Sequence, residues 1–293
     1  MAYVLLSGFD INVNLQVWFM KGLHGENRIE SFKRIADEMV KSISHFGSVE
    51  GILYIGGLTR DFADKYSDLD MVVLFNNDDP FAKDFLTSLA AQHEDRSGLE
   101  IDVEIYFLED YIAREWNEYT RWDLSHAIYV FDRQGEVKKQ FENKLRLDDV
   151  DWRRRLAHPL VYLSWYCCPT EDYIPSMIDL WNDRGHLISA QYSVNYSIDL
   201  ILETVYALNR SYLPAPKWRL YYTHELEWLP PDFEASISEA MLLKEMTEED
   251  TKRRATHISR LNQEISLQAE KVFGLDRDTI RKIYIADVYG IKS

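Results

Sequence analysis

A chain of 293 residues carries 49 acidic against 33 basic side chains, a formal net charge of −16, and 46% apolar content. That length and apolar content suit two packed domains. The charge argues against a surface that grips RNA or DNA along its phosphates, because no run of Lys and Arg exceeds the length of Arg153-Arg154-Arg155.

Taken in order, MAYVLLSGFDINVNLQVWFMKG has neither a basic leader region nor a clear cleavage site, and no later segment has the unbroken apolar length of a membrane span. The expected location is the cytoplasm. Cys167 and Cys168 are the only cysteines, adjacent and outside any zinc-type spacing, so reduced thiols are expected. SFKRIADEMVKSISHF places Phe32, Ile35, Met39, Ile43 and Phe46 at helical spacing, which predicts an amphipathic helix packed on a sheet. GILYIGG reads as a buried strand over 50–56 that runs into a sharp turn at Gly56-Gly57, where main-chain N–H groups can approach a phosphate closely. A second strand over 69–75 opens at Ser67-Asp68-Leu69-Asp70, and Asp68 and Asp70, two apart, project from one face. Asp79-Pro80 starts a helix over 80–92. In LEIDVEIYF, over 100–107, Glu100, Asp102 and Glu104 alternate with apolar residues, so the strand has one acidic face. The strand HAIYVFD and the helix GEVKKQFENKL complete a first domain, 1–147, closed by the acidic stretch DDVD.

The remainder, 148–293, reads as helical: 162–168, 178–190, 198–208, 233–243 and 249–273, the last with Ile258, Leu261, Ile265 and Val272 on one side. Pro214, Pro216, Pro230 and Pro231 break it into short units.

Asp68, Asp70 and one acid of the third strand are a set that suits Mg²⁺ or Mn²⁺, which keep several waters and take further ligands from a few carboxylates and substrate phosphates. Without a cation, converging carboxylates repel one another and their pKa values rise. Two ions would divide the work between activating the attacking oxygen and steadying the leaving group. A lone Asp-x-Asp in so acidic a chain is commonplace; the order strand, Gly-Gly, Ser-Asp-x-Asp strand, acidic strand is what points to nucleotidyl transfer.

Over Ile52 to Phe141 these motifs resemble the signature of the DNA polymerase β-like nucleotidyltransferase superfamily, and VEIYFLEDYI with DLSHAIYVFDRQGEVKK is most similar to the aminoglycoside nucleotidyltransferases. The resemblance implies an α+β fold, a mixed sheet with flanking helices, followed by an all-α helical bundle, with the active site in a cleft between them. It places the third metal ligand at Glu104 with Asp102 in reserve, and nucleotide contacts at Gly56, Gly57, Arg60 and Ser67. Two departures stand out: Gly57 replaces the usual Ser, and Asp61 the usual second Gly. Gly-Gly-x-x-Arg-Asp also resembles the tRNA nucleotidyltransferase branch. Arg60 reads equally as a surface partner of Asp61 or Asp64. LNRSYLPAPKWRLYYTHELEWLP is similar to a segment in helical domains of small-molecule nucleotidyltransferases, which would aim Lys217 at the triphosphate and set Trp218 or Tyr212 in the cleft. The resembled family also implies a carboxylate base, for which Asp199 and Glu203, four apart on one helical face with Arg210 closing the helix, are candidates. His186 reads as a helix-start residue and Asp183 as an N-cap.

The activity implied is transfer of NMP from ATP or another NTP to a hydroxyl of a small molecule, with release of pyrophosphate. An acidic surface would attract a cationic acceptor such as an aminoglycoside-like antibiotic, linking the chain to resistance. The alternatives are nucleotidylation of a protein or tRNA, and a regulatory nucleotide-binding protein without catalysis.

Overall fold

The computed structural model describes residues 23–169 and 174–290. The amino-terminal stretch without a leader pattern lies outside the described residues. The chain divides into two compact units where Arg146 meets Leu147.

The first unit is built on a four-stranded mixed sheet. Its elements are α1 (Ile29–Ile43), β1 (Val49–Tyr54), a 3₁₀ turn (Gly56–Thr59), β2 (Leu69–Phe75), α2 (Pro80–Ser97), β3 (Ile101–Phe107), α3 (Leu108–Ala113), α4 (Glu118–Ser125), β4 (Ile128–Asp132) and α5 (Glu136–Leu145). The strand order is β3-β2-β1-β4; β1 pairs antiparallel with β2 and β4, and β2 pairs parallel with β3. A parallel pair needs a crossover, which α2 supplies. Asp79 caps α2 by accepting the Ala82 N–H at 3.0 Å, Pro80 opens its first turn, and Gly98 ends it in the left-handed conformation at φ +67°.

Strands β1 and β2 read as continuous apolar runs because both their faces are covered. On one face Phe32, Ile35, Met39 and Ile43 of α1 pack with Met71, Val73 and Phe75; on the other, Leu53, Val72 and Leu74 meet Tyr111, Trp116, Val137 and Phe141. The α1 stripe matches its sequence periodicity, except that Phe46 lies beyond the helix and packs against Phe81 and Phe85. Helices α3 and α4 had no counterpart in the sequence reading, because each is under three turns long and shows too short a period to register.

The second unit is helical: α6 (Asp149–Tyr166), α7 (Met177–Asp183), α8 (Leu187–Leu208), α9 (Phe233–Met241), α10 (Glu248–Phe273) and α11 (Arg277–Tyr289). Sequence and structure differ in instructive places. The acidic stretch DDVD opens a helix: Asp148 and Asp151 form a capping box that starts α6 thirteen residues before the predicted helix at 162. The predicted helix over 178–190 is two helices, since Gly185 at φ +70° breaks it. The residue that caps α8 is His186, whose Nδ1 accepts the Ser189 N–H, whereas Asp183 ends α7. Helix α11 escaped prediction because none of its residues is fully buried, so no dense apolar stripe marks it. At the core of this unit the buried Arg254 guanidinium donates to Ala240 O of α9 and to Gln191 and Asn195 of α8.

One contact sets how closely α5 approaches the sheet. A Cβ on Gly51 would lie 3.0 and 3.1 Å from the two Val137 methyls. Gly51→Ala should therefore cost about 1–2 kcal/mol in urea denaturation by overpacking, and much less in a Val137→Ala background. An undiminished cost there would remove this contact as the cause.

Candidate active site

Strand β1 ends at Tyr54, and the chain turns at Gly56 with φ +57°. Only glycine tolerates the turn: a Cβ on Gly56 would stand 1.8 Å from Asp70 Oδ2 and 2.6 Å from its Cγ. The Asp70 carboxylate thus rests directly against the Gly56 backbone. Gly57 is different, since its Cβ would meet nothing closer than the Asp68 carbonyl at 3.7 Å. The steric demand of the Gly-Gly pair falls on its first member.

The parallel register sets Asp70 opposite Asp102, and Val72 opposite Glu104. Strand alternation puts Asp70, Asp102 and Glu104 on one sheet face, and Asp68, immediately before β2, acts on the Asp70 charge. Asp68 and Asp102 are exposed and Asp70 is half-buried. Burial, then the neighbouring carboxylates of Asp68 and Asp102, push the Asp70 carboxyl up to about 6, while the Arg60 guanidinium pulls the other way. Glu104 belongs one step deeper: its charge acts on the phenol of Tyr111, which burial already raises. The register sets Asp102 directly opposite Asp70 and Glu104 one pair further along the same face, so both acids stand beside the Asp68–Asp70 pair as candidates for the third position.

Arg60 pairs with Asp123 of α4. Its Nη2 lies 2.7 Å from Asp123 Oδ1 and its guanidinium 4.9 Å from the Trp122 ring centre, with the side chain 13% exposed. Asp61 pairs with Lys33 at 2.9 Å instead. Asp123 also acts on the Asp70 charge, and no sequence signal marked it, because only the folding of α4 brings it to Arg60. The Ser67 hydroxyl accepts the Asp64 N–H at 3.0 Å and donates to Asp64 Oδ1 at 3.3 Å, so the turn before β2 uses it.

The remaining candidates belong to the helical unit. Lys217 is exposed, its Nζ 5.9 Å from the neighbouring Trp218 ring centre. Asp199 is exposed on α8, 3.5 Å from Arg219 Nη1, and lines a cleft of about 360 Å³ with Asn195, Ile198, Leu202 and Met241. Glu203, one turn on, helps burial raise the Tyr196 phenol. Tyr212 is buried against Trp152. Arg210 follows α8 at φ +51° and binds Asp149 at 2.8 Å.

Among the described residues no group of three or more His, Cys, Asp or Glu side chains is arranged to hold a metal ion. The pair Asp68 and Asp70 still fits Mg²⁺, which takes one or two protein carboxylates and completes its shell with water and phosphate. The raised Asp70 carboxyl, crowded by two acids, is the electrostatic condition that a cation relieves. No helix among the described residues is long and apolar enough to cross a membrane.

No protein-family model and no curated protein matches the chain. Among solved structures it is similar to a nucleotidyltransferase-like protein from Exiguobacterium sibiricum at 10% identity and TM-score 0.43, over 87% of this chain and 88% of that one. A toxin–antitoxin structure with AMP-PNP aligns at 12% identity and TM-score 0.28 over 38% of this chain and 82% of that one. The complex of tri-AMPylated Shewanella oneidensis HEPN toxin with MNT antitoxin aligns at 13% identity and TM-score 0.26, over 40% and 83%. These likenesses are remote in both sequence and superposition.

Two outcomes follow from the geometry. Gly56→Ala should lower stability by about 2–4 kcal/mol in denaturant melts, through left-handed strain and the clash with Asp70, whereas Gly57→Ala should stay within about 1 kcal/mol. Equal costs would mean that Asp70 moves freely off Gly56. The second outcome concerns pH. A carboxyl whose folded pKa is raised stabilises fully below its ordinary value near 3.8 and loses that contribution as pH rises through about 6. In EDTA the wild type should lose on the order of 2 kcal/mol between pH 4 and pH 8 relative to Asp70→Asn, a gap that Mg²⁺ should narrow. Parallel melting curves for the two proteins across that range would refute the coupling.

Proposed function

We propose that the chain is a nucleotidyltransferase that moves NMP from an NTP, with ATP the first candidate, to a hydroxyl acceptor. The observation that carries this reading is the half-buried Asp70 carboxyl, seated on Gly56 and flanked by Asp68 and Asp102 at the mouth of a rigid sheet. A divalent ion at such a site would neutralise charge on the triphosphate and lower the barrier to its cleavage. Asp68 and Asp70 would hold the ion, with Asp102 as the third acid and Glu104 as the alternative.

The chain's own groups account for orientation and proton handling. Gly56 lets the backbone pass close beneath the reacting phosphates, and Gly57, with no side chain in the way, leaves that approach open. The Arg60–Asp123 pair stiffens the wall and offsets part of the acidic field. As the acceptor oxygen bonds to the α-phosphorus and pyrophosphate departs, the hydroxyl proton must pass to a base. Asp102 and Glu104 are the carboxylates that share the Asp70 face; Asp199 and Glu203 stand in the helical unit and are the further candidates. Lys217 would serve as a triphosphate contact. The net charge of −16 favours a small cationic acceptor over a polyanion.

Pyrophosphate release from each NTP, assayed with Mg²⁺ or Mn²⁺ and a panel of aminoglycosides, neutral sugars and nucleosides, tests this reading. Asp68→Asn and Asp70→Asn should each lower turnover by at least about a hundredfold with the fold intact. Full activity in either would falsify the assignment. Asp102→Asn should cost more than Glu104→Gln; the reverse order returns Glu104 to the third position. Label appearing on protein or tRNA instead of any small acceptor would identify a macromolecular substrate.

A further inference from the structure

We infer that Tyr66 is the nucleobase platform of this site, a stacking residue that sets affinity for the base of the NTP; this rests on the nucleotidyl-transfer reading. Among the described residues Tyr66 is the most exposed large apolar side chain, at 82%. An aromatic ring left this far in water gains nothing from the hydrophobic effect in the free protein. Its backbone is nevertheless tightly held. The Tyr66 N–H donates to Asp64 Oδ1 at 2.9 Å, and the Ser67 N–H to the Asp64 carbonyl at 3.2 Å. The preceding residues are pinned to the entry of α1: Asn27 Nδ2 donates to Asp61 O at 2.9 Å, Asn27 Oδ1 accepts the Ala63 N–H at 3.1 Å, and the Arg28 N–H donates to Ala63 O at 2.6 Å. A fixed loop therefore presents an exposed ring, so little conformational entropy is lost when a ligand stacks on it.

Position supplies the ligand. Tyr66 precedes Asp68 by two residues, a span of at most about 7 Å, so the ring lies within a nucleotide's length of the carboxylates proposed to hold the triphosphate. The Lys65 ammonium stands 4.7 Å over the ring centre. A flat, uncharged base suits such a surface, and base–aromatic stacking tolerates any base while favouring the larger face of a purine.

Calorimetry with Mg²⁺ tests the inference, using a non-hydrolysable ATP analogue and inorganic tripolyphosphate as a probe without a base. Tyr66→Ala should bind the ATP analogue about tenfold more weakly than wild type, with tripolyphosphate binding unchanged, and Tyr66→Phe should bind within about twofold of wild type because stacking needs the ring and not the hydroxyl. Unchanged affinity of Tyr66→Ala for the analogue, or an equal loss for tripolyphosphate, would overturn the role of Tyr66 and leave the nucleotidyl-transfer reading standing. Wild-type protein that binds neither compound would overturn both.

Discussion

The candidate site depends on one close approach: the Asp70 carboxylate lies where a side chain on Gly56 would have to be. That seat holds the acid half-buried beside two exposed acids, which is why its proton is retained to about pH 6. A carboxylate in open solvent would not be pushed so far by its neighbours, because water screens them. Sterics at a glycine and the titration of an aspartate are therefore two aspects of a single contact.

The scaffold makes such a contact durable. Strands β1 and β2 are covered on both faces, so the turn at Gly56 and the start of β2 are anchored on strands buried in the core of the unit. Sites built on buried strands hold their geometry better than sites on loops. The aromatic layer of Tyr111, Trp116 and Phe141, with Tyr111 and Phe141 stacked at 5.6 Å, packs with Val72 and Leu74 on the same sheet face as the acids. Arg60 then balances part of their charge while Asp123 holds it in place, an arrangement that a surface ion pair in full solvent would not sustain.

The helical unit follows a different logic. Its long central helix α8 is apolar on several sides and is held to α9 and α10 by the buried Arg254, whose guanidinium donates to a carbonyl and two side-chain amides. A buried cation is tolerated because its donors are met. Periodicity alone could not foresee this, since Arg254 sits in an otherwise charged stretch that reads as solvated.

Much was legible locally. The alternation of Asp68 and Asp70, the stripe from Phe32 to Ile43, the Asp79-Pro80 helix start and the bend at Gly56 follow from periodicity and backbone sterics, which act over a few neighbouring residues. The order of strand-bearing and helical halves could be read for the same reason, while the mixed sheet was implied by the family resemblance. Strand register could not: whether Asp102 or Glu104 faces Asp70 is decided by a shift of two residues in a parallel pairing, and both choices leave the same face acidic. Nor could the partner of Arg60, because Asp123 lies 63 residues away and reaches it only after the strands between them have paired. Residue types and their spacing determined the local elements and the acidic strand face; long-range pairing, which carries no sequence-local signature, decided which of those acids stand together.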